Sequence, residues 1–240
     1  MLSDIFHEIQ VIENQLGGGV YWYRGHSSEN YSLTPSALRN GRCDFELQLF
    51  YDYKMYSASL RTQNKSNWDL LLDMQHYGIP TRLLDWTTNL GTALFFALRN
   101  NPSSPCIWVL SPFNLNKIST GYNTLADTAV IGDRPAESFQ NYGVHNILSS
   151  NTSIEKPFAI HAPHGNPRLA MQRGMFTVHG KSKEPLEVSC PQVVRRVDIP
   201  HNIIPTAKQY LAKLGIDEFS LFPDHEGLSK FLKTKYNLNS

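Results

Sequence analysis

The chain has 240 residues, of which 41% are hydrophobic and 18% charged, with a formal net charge of +1. That balance is ordinary for a folded globular protein and gives no reason to expect non-specific binding to nucleic acid or an anionic membrane, while leaving room for a local basic patch. The length suits one large domain or two small ones with a core of their own. Three scattered cysteines, Cys43, Cys106 and Cys190, suit neither a disulfide framework nor a paired-cysteine zinc site, and no run approaches 18 apolar residues; the expectation is a cytoplasmic protein with no membrane contact.

Leu2, Ile5, Ile9, Ile12 and Leu16 recur three or four apart, which predicts an amphipathic helix over 2–16 ended by Gly17-Gly18-Gly19. The aromatic and β-branched run "VYWYRG" predicts a strand with Arg24 at its end, and "SLTPSALRN" a loop with a short helical turn. A helix follows over 44–61, with Phe45, Leu49, Tyr53, Tyr56 and Leu60 on one face. Asn67 is the expected cap of a further helix that carries Leu71 and Met74 and closes at Gly78. "TRLLDWT" then predicts a strand, "NLGTALFFALRN" a buried helix capped by Asn89, and "CIWVLSP" another strand. Residues 112–156, rich in Asn, Ser, Thr, Gly and Asp, suggest a long, partly irregular insertion. "PFAIHAP", "GMFTVHG" and "VVRRVDIP" predict three more strands, followed by helices in "TAKQYLAKLG", capped by Thr206 and closed by Gly215, and "DHEGLSKFLKTKY". The mixed order indicates a single α+β domain over 1–240.

The segment "HYGIPTRLLDWT" concentrates polar chemistry at a core strand. Alternation puts Asp85 and Thr87 on one face and Trp86 on the other, beside a helix N-terminus that favours anions. Two readings stand: a ligand site, or a structural arrangement in which Asp85 and Thr87 cap the next helix and Arg82 pairs with Asp85. Arg24 precedes Gly25, which permits close approach of a ligand or backbone, and an arginine fork there suits a phosphate or carboxylate. His145, His161, His164 and His179 lack the spacing of a metal-binding helix, so no metal is expected. Nucleophile-elbow and phosphate-loop motifs are missing.

Four segments together resemble the FRG domain family: "YRGHSSENYSLTPSALR" (Tyr23 to Arg39), "MQHYGIPTRLLDWTTNLGTALFFA" (Met74 to Ala97), "NPRLAMQRGMFTVHG" (Asn166 to Gly180) and the ending "LGIDEFSLFPDHEGLSKFL". The resemblance places core motifs at about 20–100 and 157–235. It implies a distant likeness to ADP-ribosyltransferases: a mixed or antiparallel split β-sheet core flanked by helices, with NAD in a cleft as substrate. On that likeness Arg24 holds the dinucleotide, Thr87 lies in the nicotinamide–ribose wall, and Gln172 stands where a late acidic residue would be sought. A glutamine supplies no carboxylate charge, which leaves Asp85 or Glu187 as the acid. His76 is the candidate proton carrier or ribose contact, Tyr77 or Trp86 the ring wall, and Gly25, Thr81 and Arg82 complete the expected binding set. The implied setting is an NAD-consuming effector of a bacterial toxin–antitoxin or phage-defence system, partnered by an antitoxin or regulatory protein. The alternatives are a non-catalytic nucleotide- or nucleic-acid-sensing module, or a protein-interaction domain.

Overall fold

The structure, a computed structural model, describes residues 1–39, 45–61, 63–100, 102–129, 131, 139–149, 151–163, 165 and 167–238; Cys43, Asp44, His164 and Asn166 lie outside them. In chain order its elements are α1 (Leu2–Leu16), β1 (Trp22–His26), α2 (Glu46–Tyr56), α3 (Asn67–His76), β2 (Leu83–Thr87), α4 (Leu90–Ala97), β3 (Cys106–Leu110), α5 (Pro112–Thr120) and β4 (Ala126–Asp127). The second half adds α6 (Val144–Leu148), β5 (Phe158–His161), α7 (Pro167–Met171), β6 (Gly174–Val178), α8 (Leu186–Ser189), β7 (Val194–Asp198), α9 (Ile204–Lys213), α10 (Glu218–Leu221) and α11 (His225–Lys235). The strands form one mixed α+β sheet in the order β4-β5-β6-β2-β1-β3-β7, with β4 and β5 parallel and every other neighbour pair antiparallel.

One face of this sheet carries two apolar clusters. In the first, Phe50, Leu71 and Met74 from α2 and α3 pack on Leu83, Phe158 and Val178. In the second, Ile5, Ile9 and Ile12 of α1 and Leu94 of α4 pack on Ile107, Val109 and Val197. The opposite face is covered by a single cluster that includes Trp22, Trp86, Trp108 and Leu115. The division between the first two clusters coincides with a seam in the sheet. β1 and β3 pair at five positions and β2 and β6 at five, but β1 and β2 share only Tyr23↔Thr87. Backbone groups beyond that position must be satisfied by other means, and there the cleft described below opens.

Several sequence expectations change in detail. Of the face expected on α2, Leu49 and Tyr53 pack against the first cluster, whereas Phe45, Tyr56 and Leu60 are exposed; the helix instead buries Phe50 and Glu46, which is paired internally with Arg82. Ser66, not Asn67, caps α3, in a reciprocal box with Asp69. α9 starts at Ile204 with Pro205 in its first turn rather than at a Thr206 cap. Residues 112–156 are more ordered than a long, partly irregular insertion: they contain α5, β4 and α6, and the buried Asn116 side chain bonds both the N–H and the carbonyl of Ala159 on β5.

Gly25 accounts for the close approach of α4 to β1. A Cβ there would lie 1.9 Å from the carbonyl oxygen of Ala93 and 2.5 Å from the amide nitrogen of Ala97. The neighbour admitted by this glycine is therefore helix backbone. Gly25→Ala should lower stability by about 1–3 kcal/mol, the usual range for overpacking; a denaturation midpoint equal to wild type would show that α4 is not seated as described.

Candidate functional site: a cleft at the sheet seam

The seam is closed by side chains where a backbone ladder is missing. Arg24 of β1 donates through Nη1 to the backbone carbonyl of Asp85 on β2, and the same nitrogen lies 3.7 Å from the Asp85 carboxylate. Asp85 in turn accepts from Gln75 Nε2 at 2.8 Å, and Gln75 Oε1 accepts from the buried Thr81 hydroxyl. On the other side, Arg24 Nε donates to His26 Nε2 at 3.0 Å, which fixes that nitrogen as an acceptor. His26 Nδ1 then carries the hydrogen and donates to the Tyr31 carbonyl at 3.1 Å. In that tautomer Nδ1 has no lone pair for the Trp108 indole N–H at 3.3 Å, so the Tyr31 bond is the one retained. A chain of contacts thus runs from Thr81 to Tyr31 and holds the guanidinium and the carboxylate of the seam in register.

The space beside it is a cavity of about 230 Å³, lined by β1, β2, α4 and the α7 region. Asp85 is its carboxylate, with a side chain 54% exposed, against 22% for Arg24. Burial draws the Arg24 guanidinium below its ordinary pKa, while Asp85 pulls it back up. Phe96 and Tyr23 supply the aromatic surface and Arg168 a second cation, which no carboxylate pairs with among the described residues. Thr92 lies 1% exposed on this wall, and its hydroxyl has no hydrogen-bond partner among the described residues. A buried hydroxyl without a partner costs free energy unless a ligand or water completes it.

A second lobe of about 270 Å³ adjoins the first across Arg24, Gly25 and Phe96, and adds Ser27, Ser32, Arg39 and Arg99. Together the lobes fall within the roughly 300–1,000 Å³ of small-molecule sites. The C-terminal segment braces both. Phe222 carries the guanidinium of Arg99 at 4.6 Å and that of Arg168 at 4.6 Å, and Arg99 makes a two-point bond to Glu218 on α10.

The expected site residues divide. Arg24, Gly25, Asp85, Trp86, Thr87 and Gln172 line the first lobe. Thr87 is committed structurally, donating to the Gln172 carbonyl at 2.7 Å and accepting from the Asn89 N–H, while the Gln172 amide donates to the Leu221 carbonyl. The Trp86 ring is in the opposite-face core, its indole N–H bonded to Thr177, so Trp86 is not the aromatic wall; Phe96 and Tyr23 fill that place. His76 lines a small side pocket that shares Gln75, Asp85, Arg168 and Gln172 with the main lobe, and burial lowers its pKa. Tyr77 points to solvent at the end of α3. Arg82 does not pair with Asp85. It is buried against Glu46, with Nη2 to Oε2 at 2.7 Å, and its remaining donors reach the carbonyls of His179 and Gly180. Glu187 is spent on the Leu33 N–H, and Asn89 occupies the amides of Gly91 and Thr92 at the start of α4, so that helix end is not open to an anion. Gln75, Thr92, Phe96 and Arg168 were missed because helical spacing marks them as ordinary face residues. His26 was missed because one histidine at a strand end carries no spacing signal.

Among the described residues no cluster of His, Cys, Asp or Glu could hold a metal, and no helix is long and apolar enough to cross a membrane. Residues 19–105 match the family model of the FRG domain. This region includes Arg24, Gln75, Asp85, Thr92 and Phe96, whereas Arg168, Gln172 and Phe222 come from beyond it. No curated protein and no solved structure matches the chain.

Two buried histidines make stability depend on pH. Burial, and then the charge of Arg24, pushes His26 down to about 3, and burial with Arg82 pushes His179 down to about 3. Unfolded histidine titrates near 6.5. Between these values the unfolded chain binds protons that the folded chain does not, so stability holds above about pH 6.5 and falls as pH drops toward 3. At pH 5 each histidine should cost about 2 kcal/mol relative to pH 7.5. Urea unfolding at both values should show this loss, reduced in His26→Gln; an equal loss in that variant would contradict the burial assigned to His26.

Proposed function

We propose that the cleft binds NAD and that the chain cleaves its nicotinamide–ribose bond, as an NAD glycohydrolase or ADP-ribosyltransferase on a sheet split in the ADP-ribosyltransferase manner. The observation that carries this reading is the Arg24–Asp85 pair at a seam bridged by one backbone position. Breaking the C1′–N bond sends its electron pair to the nicotinamide ring and builds positive charge on the ribose, while the pyrophosphate stays negative. Such a substrate needs a fixed cation and a carboxylate a few ångströms apart beside an aromatic wall. Arg24, Asp85 and the Phe96–Tyr23 surface meet that requirement. An acceptor oxygen, from water or a target molecule, then bonds C1′ and releases its proton to Asp85 or solvent. Asp85 takes the part that Gln172, without charge, does not. The Thr92 hydroxyl is a ready partner for a ligand hydroxyl or amide. The resemblance to FRG-domain proteins extends the proposal to an NAD-consuming effector restrained by an antitoxin or regulatory protein.

Incubating the purified chain with NAD should release nicotinamide. Asp85→Asn should reduce the rate by about 10²-fold or more, the scale of one positioned catalytic group. Thr92→Val should weaken NAD binding while raising stability by about 1 kcal/mol, since it removes an unpartnered buried hydroxyl. No release together with a ligand-induced rise in melting temperature would favour a nucleotide sensor, the reading that Gln172 supports. Absence of both release and a melting shift would refute the cleft as an NAD site.

A further inference from the structure

The second lobe differs from the first in charge: Arg24, Arg39 and Arg99 line it, and no carboxylate does among the described residues. Glu218 neutralises Arg99, and Asp85 approaches Arg24 from the other lobe, but no carboxylate pairs with Arg39 among the described residues. The imidazole at its floor, His26, is held neutral and adds no charge of its own. Arginines repel one another and usually spread apart. Here they converge on one concavity together with the Ser27 and Ser32 side chains, an arrangement relieved by an anion with several oxygens and matched by guanidinium forks. We propose that this lobe is a diphosphate site, in which Arg24 and Arg39 hold the two phosphates of a nucleotide and so direct its glycosidic end toward Asp85. The assignment rests on the cleft being a nucleotide site but not on bond cleavage.

Isothermal titration of the full chain with inorganic pyrophosphate, and separately with ADP, tests it. Pyrophosphate should bind once per chain, and Arg39→Gln should weaken it by about tenfold or more, as expected for loss of a charge-assisted two-point contact. Lys208→Gln, which alters an exposed cation on α9, should bind as wild type. Arg39 is itself exposed, so the variant should fold, and its melting curve verifies this. ADP should bind more tightly than pyrophosphate. Absence of pyrophosphate binding, wild-type affinity in Arg39→Gln, an equal loss in Lys208→Gln, or ADP no tighter than pyrophosphate would each overturn the proposal. Pyrophosphate binding with no nicotinamide release would contradict the cleavage reading alone. Release with binding indifferent to Arg39 would contradict this one alone.

Discussion

Neighbouring strands that share a single backbone pair leave donors and acceptors along their facing edges, and an interior sheet position is a costly place for them. In this chain the Arg24 guanidinium fills the gap by donating to the Asp85 carbonyl, with the Asp85 carboxylate close behind. A side chain in place of a ladder is longer and more polar, and it holds two strands together without zipping them. The result is a cleft in mid-sheet, floored by a cation and a carboxylate, which an uninterrupted ladder would have excluded. The contacts on either side, Gln75 on Asp85 and His26 on Arg24, restrict both groups to one geometry. Networks of this kind are strong only when fully satisfied, so the unpartnered Thr92 hydroxyl stands out against its well-bonded surroundings.

The rest of the molecule secures this seam. The buried Glu46–Arg82 pair pins the start of β2 to α2 and to the end of β6, and breaking such a pair from one side costs far more than its net contribution when intact. Gly25 lets α4 rest on β1 at backbone contact. The C-terminal segment braces the cleft from outside the stretch that matches the FRG domain, through Phe222 against two guanidinium groups and Glu218 on Arg99. The cleft is therefore assembled by both halves of the chain.

Much of this architecture was legible in the sequence. The six longer strands and the main helices follow from periodicity, and the alternation in "LLDWT" correctly put Asp85 and Trp86 on opposite faces. What could not be read was set by tertiary partners. Glu46 appears as an ordinary helix-surface residue until Arg82, 36 positions away, is seen to draw it inward. The edge strand β4 has two residues, too few for any pattern. Arg82 and Asp85 look like natural partners three apart, yet each finds a different one across the fold. Polar residues near a strand end could be recognised as unusual, but whether each faced the core or the cleft depended on contacts no local pattern encodes.

If the β1–β2 seam is a ligand cleft held by Arg24, its ligand should be visible there. A crystal structure of the Asp85→Asn chain with NAD tests it most directly, since that variant should retain the substrate uncleaved. A dinucleotide should lie across both lobes, its pyrophosphate on Arg24 and its nicotinamide ring against Phe96. A continuous β1–β2 ladder with no cleft, or NAD bound elsewhere on the molecule, would contradict it.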